Sequence, residues 1–114
     1  MKKCVINLST NYAWYPKGQK RLANYLKEHF RNGDVLLYDS EKQVSAPLHE
    51  KDPYAFKPYC FNDAMSKGYD LILWADASVW TQRDIEPIFN IMQEKGYFLV
   101  KSGHFAGRWT NEVI

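Results

Sequence analysis

One apolar run, residues 71–75, constrains the fold more than any other part of the sequence. It is too short to span a membrane and too continuous for a half-exposed strand, so it predicts a parallel strand that is covered on both faces. We interpret it as a central strand of an α/β sheet. Such sheets bind ligands beyond the carboxyl ends of their strands. Asp76 and Ser78 follow the run directly and are therefore expected at the mouth of a binding site.

The spacing of Asp76 and Ser78 suits one shared ligand. Alternate residues of an extended segment point to the same side, so both side chains are expected to approach one cation or one phosphate group. The carboxylate is the stronger ligand for a hard cation, and the hydroxyl is the weaker one.

The remaining apolar patterns alternate between strand and helix. The predicted strands are residues 3–8, 34–38 and 97–100 beside the run itself, and the predicted helices are residues 18–30, a segment from 52 or 58 to 68, and residues 81–95. Residues 41–52 lack periodicity and are expected to form a loop that covers the site as a flap. The alternation predicts one domain, residues 1–114, with an α/β fold: a Rossmann-like three-layer sandwich with a mainly parallel central sheet.

Several segments together resemble one known family. They are Pro-Tyr-Ala-Phe-Lys-Pro-Tyr at 53–59, Ala64, Gly-Tyr-Asp at 68–70 and Leu-Trp-Ala-Asp-Ala-Ser at 73–78, with a looser continuation through 96–97 and 107–111. These segments resemble bacterial and viral proteins of the nucleotide-diphospho-sugar transferase superfamily, the GT-A glycosyltransferases. The resemblance covers roughly the last two thirds of the chain and implies a GT-A fold.

The resemblance implies a donor substrate, a metal and a role for Asp76. GT-A proteins carry Asp-x-Asp after a central strand, and these carboxylates hold a divalent metal on the diphosphate of a nucleotide-diphosphate sugar. This chain has Asp-Ala-Ser at 76–78. Asp76 is accordingly expected as the catalytic residue and as a ligand of Mn²⁺ or Mg²⁺, with Ser78 as a weaker ligand.

Other candidate contacts follow the first two predicted strands. In GT-A proteins the segment after the first strand contacts the base and the ribose, which implicates Ser9, Thr10 and Tyr12, with Tyr12 stacked on the base. The alternative for Tyr12 is an aromatic lid over the sheet edge, formed with neighbouring rings. Asp39 follows the second strand and either accepts hydrogen bonds from the nucleotide or serves as a turn residue.

Three basic or imidazole side chains complete the set of candidates. Lys57 lies within the region of resemblance and near a helix amino end, so we expect it to contact the donor diphosphate. Arg21 either reaches a phosphate or is solvated. His104 lies in a segment loosely similar to the His-Phe-x-Gly segment that supplies a metal ligand in some GT-A families, and a structural role is the alternative.

The composition of the chain indicates which binding partners and which cellular location to expect. With 46% hydrophobic and 25% charged residues the chain has an ordinary globular composition, and a net charge of +2 gives no reason to expect nucleic acid as a partner. The 16% aromatic content suggests stacking surfaces. Cys4 and Cys60 have no zinc-site spacing and are expected as buried thiols. Neither a signal peptide nor a membrane span is recognisable, which predicts the cytoplasm of a bacterium or of a virus-infected cell.

A second class of function stays open beside the enzyme. At 114 residues the chain is shorter than a full transferase is expected to be. The alternative is therefore a non-catalytic nucleotide-sugar-binding or protein-interaction module with the same fold. If the chain is an enzyme, a partner subunit or a homo-oligomer is expected to complete its acceptor site.

Overall fold

In a computed structural model, which describes residues 1–96, three parallel strands alternate with three α-helices. The elements are β1 (Lys3–Leu8), α1 (Tyr15–His29), β2 (Asp34–Tyr38), a 3-10 helix (Glu41–Val44), α2 (Phe56–Ser66), β3 (Leu71–Trp74) and α3 (Glu86–Lys95). The α/β class predicted from the sequence is confirmed at this level. The strand predicted at 97–100 and the candidate ligand His104 lie outside the described residues.

β1 is the central strand of the described sheet, whose order is β2-β1-β3. Cys4 of β1 pairs with Asp34 on one side and with Ile72 on the other, both in parallel. β3 has one partner, β1, in the described part of the sheet, and the expectation that residues 71–75 form a central strand stays a prediction, since the strand predicted at 97–100 lies outside the described residues. β1 is fully covered from Cys4 to Leu8, whereas the residues of β3 are only half-buried.

α2 packs on one face of the sheet. Alternate residues of β1 point toward α2, and the residues of α2 that face β1 recur every four positions. Together with one residue of β2 they form a core whose buried members are Cys4, Ile6, Leu8, Tyr38, Phe56, Cys60 and Ala64. Both thiols are free and buried, as expected from the sequence. Burial raises the pKa of Cys4 to about 12 and that of Cys60 to about 11, so both thiols stay protonated at neutral pH.

α1 and α3 contribute to a second core that includes Val5 of β1. Its buried members are Val5, Leu22, Leu26, Phe30, Ile85 and Phe89. Leu22 and Leu26 are one turn apart on α1, and the spacing places both on the buried stripe of an amphipathic helix. The two cores thus contain residues from helices on either side of β1.

The helix ends follow local chemistry. α2 begins at Phe56, so Pro58 stands in the first turn, where its missing N–H breaks no helical hydrogen bond. α2 ends before Gly68, whose φ of 91° is readily adopted only by glycine. No helix among residues 1–96 is long and apolar enough to cross a membrane.

A hydrogen bond from the Tyr38 hydroxyl to the Asp63 carboxylate joins the end of β2 to α2. Lys67 contacts the same carboxylate at 2.9 Å. These two partners, the hydroxyl first, lower the pKa of Asp63, while burial, together with Asp63, raises the pKa of Tyr38. The folded state therefore favours the ionised form of Asp63 and gains stability from it. This gain is fully present at pH values above the pKa of an aspartate in the unfolded chain, and it is lost as the pH falls through the lowered pKa of Asp63 in the folded protein.

Tyr38→Phe tests that contribution. We expect the substitution to reduce the free energy of unfolding by roughly 1.5–3 kcal/mol at neutral pH, since it removes a hydrogen bond to a charged group. The difference from the wild type should shrink at acidic pH, as the pH falls through the lowered pKa of Asp63 and the carboxylate becomes protonated. Urea unfolding of both proteins across this range measures it. A difference that stays constant with pH would mean that the bond does not depend on the charge of Asp63.

Candidate functional site

A cavity of about 400 Å³ opens beyond the carboxyl ends of the strands. The chain passes from β1 to β2 on one side and returns to β3 on the other, so the strand order reverses at β1. Ligands bind at this position in open parallel sheets. Segments that follow β1 and β3 both contribute to the wall.

Aromatic and polar side chains line this cavity from four segments of the chain. The aromatic and imidazole rings are those of Trp14, Tyr15, His49, Tyr54, Phe56 and Trp74. The polar members are Thr10, Lys57, Asp76 and Ser78. A cavity with flat rings and a few convergent polar groups suits a ligand that combines rings with a charged group.

Lys57 and Asp76 meet on the wall of the cavity. Lys57 Nζ lies 3.8 Å from Asp76 Oδ1, and the same oxygen accepts a hydrogen bond of 2.6 Å from Trp74 Nε1. The side chain of Lys57 is 36% exposed and that of Asp76 is 58% exposed. A pair this exposed contributes roughly 0–1 kcal/mol, so a charged ligand can replace it at little cost.

Lys57 is also surrounded by π-systems. Its Nζ lies 5.3 Å from the ring centroid of Tyr54 and 5.2 Å from that of Trp74. Ring faces attract a cation at such distances. The arrangement holds the ammonium inside the cavity, in the first turn of α2.

Asp76 and Ser78 both line the cavity, but the segment between them is not extended. Val79 N donates to Asp76 O at 3.1 Å, which closes a turn. The expectation that one extended segment presents both side chains is therefore wrong, because the chain bends toward α3 directly after β3. The turn is held against α1 at Gly18, where an added Cβ would stand 2.2 Å from Ala77 O.

The loop before α2 contributes His49 and Tyr54 to the wall of the cavity. Residues 41–52 were expected as a flap over the site, but no role was predicted for either of these two side chains. Tyr54 N donates to His49 Nδ1 at 3.0 Å, and His49 N donates to the buried carboxylate of Glu41 at 3.3 Å. The rings of His49 and Tyr54 lie 4.7 Å apart, edge to face. Tyr54 has a φ of 62°, a strained conformation for a non-glycine residue and one that is enriched at binding sites.

Two side-chain amides connect the carboxyl ends of all three strands. Asn7 is 1% exposed, and its Nδ2 donates to Ala75 O at 2.7 Å. Gln19 Nε2 of α1 donates to Asn7 Oδ1 and to Tyr38 O, both at 2.9 Å. These bonds satisfy buried polar groups and fix the spacing of the strand ends next to the cavity.

Three of the residues expected at the site lie outside the lining of this cavity. Ser9 is buried, and its N–H donates to Tyr38 O at 2.9 Å. Tyr12 is 70% exposed, and its ring lies 6.0 Å from that of Tyr15. Asp39 is exposed, and its N–H donates to Gln43 Oε1. Of the residues that the sequence predicted as contacts after β1, Thr10 is the one that lines the cavity.

The oxygen donors around Asp76 do not make a metal site by themselves. Asp76 is the one carboxylate among the described residues that line the cavity, and Ser78 adds a hydroxyl. Within residues 1–96, no three His, Cys, Asp or Glu side chains are grouped so that they could hold a metal ion. Mg²⁺ is often held by one or two carboxylates together with substrate phosphates. This donor set therefore fits only a cation that a diphosphate also binds.

Comparison of the chain with protein-family models, with curated proteins and with solved structures found no match. The family resemblance of the sequence therefore remains an expectation, and the geometry of the cavity is the basis for proposing a function.

Proposed function

We propose that the cavity binds a nucleotide-diphosphate sugar and that the chain is a glycosyltransferase-like domain with a GT-A, three-layer form of the α/β fold. The observation that carries the proposal is the meeting of Lys57 and Asp76 among aromatic rings, where the strand order reverses. A nucleotide sugar matches these features, since it combines a base, a sugar and a diphosphate.

Each feature of the cavity has a counterpart in such a ligand. The Lys57 ammonium leaves Asp76 and binds a phosphate oxygen, which is a stronger charge-assisted contact than the exposed pair. The rings of Trp14 and Tyr15 stack on the base or the sugar, and the hydroxyls of Thr10 and Ser78 donate to its oxygens.

A divalent cation enters the proposal only with the diphosphate. The Asp76 carboxylate and the Ser78 hydroxyl would then be its protein ligands, and Mn²⁺ or Mg²⁺ would offset the charge of the leaving nucleoside diphosphate. Asp76 is in this sense the proposed catalytic residue.

The alternative, a non-catalytic module that binds the same ligand, is favoured by one observation. Among the cavity-lining residues that the structure describes, Asp76 is the one carboxylate, and its Oδ1 already interacts with Trp74 and Lys57. No second carboxylate stands beside it on this wall to act as a general base. If the chain is instead an enzyme, a partner subunit or a second copy of the chain would supply the acceptor site.

Calorimetric titration with UDP-glucose and GDP-mannose, each with and without Mn²⁺, tests the proposal. Lys57→Met keeps the aliphatic stem but removes the charge, so we expect it to weaken binding by about tenfold or more. Asp39→Asn is the matched control, because Asp39 lies outside the cavity, and it should leave the affinity within about twofold. If neither sugar binds the wild type, or if both variants lose affinity equally, the proposal is wrong.

The same titrations separate the roles of the metal and of catalysis. Asp76→Asn should weaken binding in Mn²⁺ but not without it, since the carboxylate attracts the cation and repels the phosphates. Release of nucleoside diphosphate from the bound donor supports the enzyme. Binding without any release supports the module.

A further inference from the structure

A second cavity, of about 520 Å³, lies next to the first and is more open. Its lining residues are Trp14, Lys17, Gly18, Arg21 and Ser78. Trp14 and Ser78 also line the first cavity, so one ligand or two adjacent ligands can extend across both.

Both charged residues that line the second cavity in the described part of the chain are basic. Lys17 and Arg21 are one turn apart on α1, and like charges at this spacing repel each other. The ion pairs within residues 1–96 involve Lys3, Lys57 and Lys67 and neither of these two side chains. An anion in the second cavity would relieve the repulsion.

The described neighbours of Arg21 hold its side chain in place, and none of them forms an ion pair with it. Its guanidinium carbon lies 4.0 Å above the ring centroid of Trp80, and one guanidinium nitrogen donates to Ser78 O at 3.5 Å. A stacked guanidinium keeps donors in its plane for a carboxylate or a phosphate. Gly18, between the two basic residues, brings α1 close to the turn that carries Asp76 and Ser78.

We propose that the second cavity binds the carboxylate or phosphate of an acidic saccharide, next to the ligand of the first cavity. The anion site rests on Lys17, Arg21 and the cavity they line. The assignment of the anion to a saccharide rests on the proposed function, since an acceptor sugar must lie beside the donor.

Titrations without any nucleotide test the site separately from the first cavity. Trigalacturonic acid provides the carboxylate, glucose 6-phosphate provides the phosphate, and maltotriose is the uncharged control, with binding followed by NMR chemical shifts at low salt. We expect at least one acidic probe to bind more tightly than maltotriose and to weaken as salt is raised. The acidic probe that binds identifies the anion. Equal binding of maltotriose, or no binding of either acidic probe, would overturn the proposal whatever the nucleotide-sugar titrations show.

Variants then locate the bound anion. Lys17→Met and Arg21→Met should each lower the affinity for the acidic probe by about tenfold, which is the loss typical of a hydrogen bond to a charged group. Lys27→Met, on an exposed part of the same helix, should stay within about twofold. Lys17 is itself exposed, so Lys17→Met remains informative even if Arg21→Met proves unstable. If Lys27→Met lowers the affinity for the acidic probe as much as Lys17→Met does, the probe is attracted by the general surface charge, and the proposed site is wrong.

Discussion

Phe89→Ala is expected to lower the free energy of unfolding by about 3–5 kcal/mol, as truncation of a buried phenylalanine usually does. Phe89 has no exposed surface, and its ring stacks on Phe30 with the centroids 4.9 Å apart. The side chain joins α3 to α1 within the second core. A loss of this size is a large fraction of the stability of a small domain, and urea unfolding followed by circular dichroism measures it.

Two further variants keep this prediction testable if Phe89→Ala does not fold. Phe89→Leu should cost clearly less, because leucine fills more of the space that alanine leaves empty. Ile91→Ala, at a residue of α3 that is 37% exposed, should change stability much less than Phe89→Ala. Similar losses at Phe89 and Ile91 would show that α3 is not packed as described.

Gly18→Val is expected to cost about 3 kcal/mol, since the new side chain collides with the backbone of the turn after β3. An added Cβ would stand 2.2 Å from Ala77 O and 2.9 Å from a ring carbon of Trp14. The ring can rotate, but the carbonyl can move only with the turn that carries Asp76 and Ser78. The same substitution should therefore weaken the binding of any ligand in the first cavity.

Gly18→Ala is a sharper test, because helix propensity and the contact with Ala77 predict changes in stability of opposite sign. Helix propensity alone predicts that alanine stabilises a helix by about 1 kcal/mol relative to glycine. We expect destabilisation instead, because of the contact with Ala77. Asn24→Ala, at an exposed position of α1, is the control and should stabilise by a few tenths of a kcal/mol. If Gly18→Ala stabilises the protein as propensity predicts, α1 does not touch the turn closely.

Most elements of the described fold could be predicted because their patterns are local. β1 and β2 carry short apolar runs, and α1 and α3 carry apolar residues at helical spacing, so periodicity was enough to place them. The position of β3 in the sheet could not be predicted from its pattern, because an unbroken apolar run does not tell a central strand from a neighbouring one. Strand order depends on the pairing of distant residues, for which the sequence gives no local signal.

The candidate site could be predicted only in part, for the same reason. Lys57 and Asp76 were expected in one crevice because a helix amino end and a strand carboxyl end meet at one edge of a parallel sheet. Tyr12 was expected either to stack on a base or to form a lid with neighbouring rings; among the described residues Trp14 and Tyr15 line the cavity, and the ring of Tyr12 lies beside that of Tyr15. Which ring of an aromatic cluster points inward depends on the exact start of α1.

The wall formed by His49 and Tyr54 could not have been read from periodicity. It depends on a side-chain acceptor for the N–H of Tyr54 and on a left-handed backbone at that residue. Neither leaves a sequence pattern, since glycine or asparagine is the usual sign of such a conformation. The high aromatic content was the one signal that pointed toward a ring-lined cavity.

The central position of β1 also has a consequence for the order of folding. Cys4 pairs with Asp34 and with the much more distant Ile72, so closing the β1–β3 ladder costs more chain entropy than closing the β1–β2 ladder. A partly folded chain with only β1 and β2 paired would expose one edge of β1, where another chain can add a strand. Because the turn with Asp76 and Ser78 follows β3 directly, the first cavity would form only after β3 has paired with β1.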